Sequence, residues 1–271
     1  MKLTGNSPFS VVTSFKSADL IPVETGTSSK GNQVKWVTRD GSFFIKECFV
    51  YDNKKWKDYL VEASASTYCK RCKGINFVEY TLCTVDGRSA SLSCNFLNEN
   101  EEYISFERLR KLNKRVMPAY TKYSAVDNYT FLVDAFMDLT GLDTTEYLYK
   151  MALVDYVIGN EDRHYNNFGV LYDHHTGEYK MAPLFDFGLG MFEHDTKYLT
   201  LPYQKAVKQI SGKPFCNHSE NVLKLLLYFD ELRSDTVPDY ITVGDYYFPS
   251  DKAKSLFIDR NKQLGVPVFD V

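Results

Sequence analysis

The chain has 271 residues, 44% hydrophobic and 25% charged, with a formal net charge of -3. That length accommodates one large domain or two lobes of roughly 100–170 residues, in the composition range of ordinary globular proteins. The near-neutral charge balance gives no reason to expect direct nucleic-acid binding. No window of the sequence approaches a membrane span, and Met1-Lys-Leu-Thr-Gly-Asn-Ser-Pro8 lacks the apolar stretch of a signal peptide. The expected location is therefore cytoplasmic, with secretion as an effector left open, and no membrane partner is expected. The cysteines at 48, 69, 72, 83, 94 and 216 read as reduced thiols. Cys69-x-x-Cys72 has no second pair at zinc-ribbon spacing and falls late in a predicted helix, away from the position of a redox pair.

In chain order, Glu24 to Asn32 is small and polar, with glycines at 26 and 31. Val34–Thr38 and Ser42–Val50 flank Arg39-Asp-Gly41, and Asp-Gly between two β-rich runs predicts a hairpin. Lys57 to about Cys72 predicts a helix with Tyr59, Leu60, Ala63 and Tyr68 on its apolar side. Strand is expected over Asn76–Leu82 and Ser89–Leu97. The polar run Asn98-Glu-Asn-Glu-Glu102 changes the texture, and helices are expected beyond it. The spacing thus divides the chain into lobes 1–98 and 99–271.

In the second lobe, Asp143 with Glu146 reads as a capping box. Tyr147, Met151, Val154 and Ile158 then repeat at helical spacing up to Gly159, a C-terminal stop signal. Phe168–Tyr172 and Glu178–Met181 around Asp173–Gly177 predict a second hairpin, which delivers the chain to Asp186.

Between and after these elements lie Gly159-Asn-Glu-Asp-Arg-His-Tyr-Asn-Asn-Phe168 and Leu184-Phe-Asp-Phe-Gly188. Asp162, Asn167 and Asp186, in that order, match what phosphoryl transfer requires. One carboxylate orients the acceptor hydroxyl, while an amide oxygen and a second carboxylate hold Mg2+ on the phosphates of ATP. His164 has either a structural or a proton-handling role beside Asp162. A strand lysine and a helix glutamate should complete the nucleotide site, and Lys46 with Glu62, sixteen residues later, fill those places. The loop carrying Gly26, Ser28 and Ser29 is the candidate phosphate cover, and it matches neither a Gly-x-Gly-x-x-Gly nor a Walker pattern. Ser28 and Ser29 are also candidate autophosphorylation positions. Cys94, Phe96 and Leu97, at a strand end before the lobe boundary, are the candidate adenine hinge. The histidines at 174, 175, 194 and 218 read as exposed loop residues.

Asn160-Glu-Asp-Arg-His-Tyr-Asn-Asn-Phe-Gly169 with Pro183-Leu-Phe-Asp-Phe-Gly188 resembles the HipA-like serine/threonine kinases. Within them it looks most like the compact branch that includes the Helicobacter CtkA type. Lys213-Pro-Phe215 followed by a helix also looks like the C-terminal part of that family. The resemblance implies an α+β, two-lobed, protein-kinase-like fold with a β-rich N-lobe and a mainly helical C-lobe. It implies ATP and Mg2+ as cofactors, and it makes Asp162 the catalytic aspartate. Asn167 and Asp186 become the metal ligands and Lys46 the ATP-contacting lysine. It also implies a protein substrate with a Ser or Thr acceptor and an antitoxin-like partner. Asp-Arg-His, in place of His-Arg-Asp, is equally similar to phosphatidylinositol kinases, so lipid phosphorylation is the enzymatic alternative. A nucleotide-binding pseudokinase is the non-enzymatic one.

Overall fold

The computed structural model describes residues 9–23, 33–51, 54–193, 198 and 200–270. The N-terminal part is built on a six-stranded sheet. Its strands are β1 (Val11–Phe15), β2 (Leu20–Pro22), β3 (Lys35–Thr38), β4 (Phe43–Glu47), β7 (Tyr80–Val85) and β8 (Arg88–Cys94), in the order β1-β7-β8-β4-β3-β2. All neighbours run antiparallel except β1 and β7. A short separate ladder, β5 (Val50–Tyr51) with β6 (Lys54–Lys55), leads into helix α1 (Asp58–Arg71). The expected hairpin is the β3–β4 pair, closed by a Gly41 N–H to Thr38 carbonyl bond of 2.8 Å.

Helix α1 has no single apolar face. It lies between β7 and β8 on one side and the C-terminal helices on the other. Val61 to Ser66, Tyr68 and Cys69 are all buried, while Tyr59 and Leu60 are only partly so. The expected stripe is thus displaced, because an element sandwiched between two layers is covered all round. Val61, Ala65 and Tyr68 join the large core of the C-terminal helices, whereas the sheet keeps a small core of Leu20, Ile45, Cys83, Val85, Ala90 and Leu92. Burying each large apolar side chain of this kind contributes about 1.5–3 kcal/mol.

The strand expected over 76–82 begins only at Tyr80. Residues 76–78 pair instead with the chain ahead of Asp186: Val78 N–H donates to Leu184 O at 2.8 Å, and Leu184 N–H to Asn76 O at 2.9 Å. The next strand ends at Cys94, short of Leu97. The polar run 98–102 leads into another strand, β9 (Glu101–Ser105), which pairs with β10 (Gly169–Asp173) beside β11 (Tyr179–Met181). Its charges are tolerated because Glu101 pairs with Lys180 and Glu102 with Arg108. Gly169 is required where β9 meets β10, since a Cβ there would sit 2.2 Å from Ile104 O.

Helices α2 (Phe106–Leu112), α3 (Ala125–Thr140), α4 (Thr145–Ile158), α5 (Tyr203–Val207), α6 (Glu220–Tyr228), α7 (Asp230–Thr236) and α8 (Asp251–Gln263) form the rest. The parallel pair β12 (Ile241–Thr242) and β13 (Val268–Phe269) flanks α8. Helix α4 is the centre of the large core, with Met151 to Ile158 buried without a break. Its start corrects the capping-box expectation. The Asp143 carboxylate accepts the Thr145 N–H at 2.9 Å, while Glu146 pairs outward with Lys150 at 2.7 Å. Its end is as expected: Gly159 takes the left-handed conformation (φ +67°) that reverses the chain into the next loop.

Among the described residues no helix is long and apolar enough to cross a membrane, and no cluster of three or more His, Cys, Asp or Glu side chains suits a metal ion. All six cysteines are unpaired, and only Cys94 is exposed. Of the loop histidines, 174, 175 and 218 are exposed, and His194 lies outside the described residues.

Candidate functional site

Three elements far apart in sequence converge on one ion cluster. Lys46 on β4 places its Nζ 2.7 Å from Glu62 Oε1 on α1 and 3.1 Å from Asp186 Oδ1. Glu62 is fully buried, and Ser91 Oγ donates to its other oxygen at 2.6 Å. Asp186 keeps 37% of its side chain exposed, so the cluster is closed behind and open in front. Burial alone would push the Lys46 ammonium towards neutrality; Asp186 and then Glu62 outweigh it and hold its pKa well above the ordinary value. Burial raises the pKa of Glu62, opposed by Lys46. For Asp186 burial is outweighed by Lys46, and its carboxyl is held down to about 2. The site therefore presents an ionised carboxylate next to a fixed ammonium.

Asp186 adopts a left-handed backbone (φ +58°), a conformation that costs a non-glycine residue on the order of 1 kcal/mol or more. Its N–H donates to the hydroxyl of Tyr80 at 3.1 Å, and the Tyr80 ring meets Phe187 edge-on at 6.5 Å. Together with the 76–78 pairing, this contact fixes the Asp186 turn from the sheet side.

The loop after Gly159 is organised around Arg163, which is fully buried. Its guanidinium makes a fork to Asp155 on α4 at 2.8 and 2.9 Å, and donates to Asn167 O at 2.8 Å and Phe185 O at 2.5 Å. One side chain thus ties helix α4, the loop residue Asn167 and the residue before Asp186 together. Burial would lower the Arg163 pKa, but Asp155 outweighs it, and the guanidinium stays charged. Asn160 extends the brace by donating to Asp155 at 2.8 Å and accepting the Asp162 N–H at 3.2 Å.

On this frame Asp162 is partly exposed, and Asn167 Nδ2 donates to its backbone carbonyl at 2.9 Å. Burial raises the pKa of Asp162, His164 opposes it, Asp186 adds to it, and Lys213 with Arg163 opposes it. His164 Nε2 stands 3.6 Å from Asp162 Oδ2, beyond hydrogen-bond length, and its Nδ1 accepts the Asn166 N–H at 3.2 Å. The proton of a neutral His164 therefore sits on Nε2, towards Asp162.

The hinge candidates separate. Phe96 stacks on Phe185 at 5.9 Å, and Tyr103 closes the group edge-on, at 6.1 Å from Phe96 and 5.4 Å from Phe185. Cys94 ends β8 in an exposed position, and the Leu97 N–H donates to Asn95 Oδ1 at 3.1 Å. Gly26, Ser28 and Ser29 lie outside the described residues. Lys35 on β3 sits directly opposite Lys46 in the β3–β4 register, so both ammonium stems share one face of the sheet. Burial and then Lys46 lower its pKa. Arg163, Tyr80 and Lys35 went unmarked in the sequence reading. Only the Asp-Arg-His string hinted at the first, and the other two depend on strand register.

The family model of the HipA-like C-terminal domain matches residues 27–222, well over half of the chain. The chain belongs to the HipA-like C-terminal domain family. Among solved structures, this HipA-like chain is similar to the Helicobacter pylori proinflammatory kinase CtkA, with 15% identity and a TM-score of 0.59 over 87% of this chain and 92% of that one. It is also similar to a chain of the Shewanella oneidensis MR-1 toxin–antitoxin complex of HipA, HipB and operator DNA. There the identity is 11% and the TM-score 0.43, over 90% of this chain and 66% of that one. No curated protein matches the sequence. The fold is the expected α+β, kinase-like one, and the HipA-like chain is a kinase-like protein.

Proposed function

We propose that the protein is an ATP- and Mg2+-dependent serine/threonine protein kinase of HipA-like type. The observation that carries this reading is the Lys46–Glu62–Asp186 cluster, drawn from β4, α1 and the turn after β11 and left open on the Asp186 side. Lys46 holds the nucleotide phosphates, Glu62 fixes the lysine, and Lys35 adds a second cation on the same face.

The donor set fits Mg2+. Asp186 is ionised, and among the described residues no group donates to Asn167 Oδ1 or to Asp186 Oδ2. Both are hard oxygens of the kind Mg2+ selects, and few protein ligands suffice where phosphates complete the shell. When bound, Mg2+ supplies neutralisation of phosphate charge.

Asp162 accepts the proton of the acceptor hydroxyl as its oxygen attacks the γ-phosphorus and the bond to ADP breaks. The rise in its pKa suits that role. His164 faces Asp162 with its Nε2 at 3.6 Å, close enough to act on the carboxylate electrostatically. Phe96 and Phe185, with Tyr103, line the base side, and Cys94 and Leu97 belong to the hinge. Gly26, Ser28 and Ser29 cover the phosphates, and the two serines are candidate autophosphorylation positions. A division of lobes near residue 98 is supported by the change of sheet there, β8 ending at Cys94 and β9 starting at Glu101. A protein acceptor, an antitoxin-like partner and a cytoplasmic site of action belong to the same reading.

The test is incubation with radiolabelled ATP and Mg2+, offering a generic protein and inositol lipids as acceptors. Label on protein, lost in Asp162→Ala and Asp186→Ala, supports the proposal. Label on lipid alone replaces it with a lipid kinase. Nucleotide binding without any transfer makes the chain a pseudokinase.

A further inference from the structure

A phosphoryl group in flight carries negative charge on the acceptor side as well as on the leaving side, and both need cations. On the leaving side the chain has Lys46 and Lys35. On the acceptor side the loop 159–168 contains one cation, Arg163, and it is turned inward and consumed by Asp155 and two carbonyls. The front of the site around Asp162 therefore takes no permanent positive charge directly from its own loop, where His164 is the one other basic side chain.

Another segment supplies it. Glu161, adjacent to Asp162, receives the Ser211 N–H at 3.0 Å and the Tyr198 hydroxyl at 2.6 Å. These bonds pin residues 210–213 against the loop. The far end is fixed by Asn128 of α3, whose Nδ2 donates to Phe215 O at 2.8 Å, and the Lys213 N–H reaches back to Ser211 Oγ at 3.4 Å. Lys213 thus rises from a segment clamped on both sides. Its side chain is half-buried, and no carboxylate among the described residues pairs with it within 4.0 Å. Other half-buried cations of the chain, such as Lys46, Arg110 and Arg233, have such partners. A half-buried ammonium without one is costly, and it gains most from an anion that arrives with the reaction.

We propose that Lys213 is the acceptor-side cation of the site, contacting the phosphoryl group during transfer from ATP to the hydroxyl at Asp162. The Ser211 N–H bond to Glu161, next to Asp162, brings this segment to the front of the site, and Lys213 is among the charges that act on the Asp162 carboxylate. The inference rests on the kinase reading above.

The experiment uses the full chain and does not depend on knowing the acceptor. Isothermal titration calorimetry measures the affinity for ADP with Mg2+, and then for ADP with Mg2+ and aluminium fluoride, which mimics the phosphoryl group in flight. In the wild type, fluoride tightens binding at least about tenfold. Lys213→Met keeps its ADP affinity within about twofold but loses most of the fluoride gain, and Lys213→Arg restores a large part of it. An equal fluoride gain in Lys213→Met, no gain in the wild type, or an equal loss of ADP affinity overturns the proposal. A wild type that binds no ADP at all removes the nucleotide reading itself. Where turnover is measurable, Lys213→Met lowers kcat by about 10²-fold with the KM for ATP little changed.

Discussion

Two clusters of buried charge stand side by side in this protein and are built on opposite principles. Around Arg163 four of the five guanidinium N–H groups are taken by Asp155 and two carbonyls, Asn160 also bonds Asp155, and the side chain is fully buried. Around Lys46 one partner, Glu62, is fully buried while the other, Asp186, is partly exposed in a left-handed turn with one oxygen unclaimed among the described residues. The first cluster is complete without substrate, and its effect is to hold the loop and the Asp186 turn in one frame. The second is incomplete without substrate, and in the proposed function that incompleteness is its use. Charge burial alone does not mark a site; what marks it is the valence left open.

The largest effect expected from breaking this contrast is Arg163→Met. It leaves Asp155 buried without its counter-ion, which costs about 3–5 kcal/mol of stability, read as a lowered midpoint in urea unfolding. Lys46→Met should cost much less stability, because Glu62 relieves itself by taking up a proton. The same change lowers transfer from ATP on the order of 10²–10³-fold, measured as initial rates. If Lys46→Met unfolds the chain as severely as Arg163→Met, the two clusters are not different in kind.

The pH dependence sharpens this. A buried glutamate whose folded pKa is raised stabilises the fold at low pH and loses that contribution as pH rises through the folded value. Removing Lys46, which opposes that rise, pushes Glu62 higher still. The stability deficit of Lys46→Met relative to wild type should therefore shrink from neutral pH towards about pH 5. Chemical denaturation at both values checks it, and a deficit that grows on acidification contradicts the account.

A smaller effect is expected at Tyr80. Tyr80→Phe removes the acceptor for the Asp186 N–H, worth about 1 kcal/mol. It should raise the Mg2+ concentration for half-maximal activity by about fivefold, since 1.4 kcal/mol is about tenfold in an equilibrium constant, and lower the unfolding temperature by only about 2–4 °C. The mildest perturbation is a thiol probe. Cys94 alone is exposed, and burial raises the pKa of Cys48, Cys69, Cys72, Cys83 and Cys216. One equivalent of label in the native state and six on denaturation are expected. If protection of Cys94 by ATP accompanies this, the hinge assignment is strengthened; its absence places Cys94 off the nucleotide.

Local chemistry made parts of this architecture legible. Asp-Gly between β-rich runs specified the β3–β4 hairpin, Gly159 specified where α4 stops, and Asp173–Gly177 specified the turn before β11. The order Asp162, Asn167, Asp186 singled out the loop and the Asp186 turn, and the count from Lys46 to Glu62 matched a strand followed by a helix. Helix α1 shows where such reading fails. Its burial on both sides erases the periodic stripe that an amphipathic helix would display, so Tyr59 and Leu60 looked like its inner face. The residues 76–78 failed for a related reason, since their pairing partner lies more than 100 residues away at Leu184.

The sequence by itself determined which groups are available for the proposed phosphoryl chemistry and which local turns present them, because those follow from residue type and short spacing. Only the tertiary structure decided which charges meet. Whether Arg163 faces outward or towards Asp155, whether Lys35 shares a face with Lys46, and whether Ser211 reaches Glu161 depend on register and on long-range packing. Those are settled by the burial of the whole chain at once.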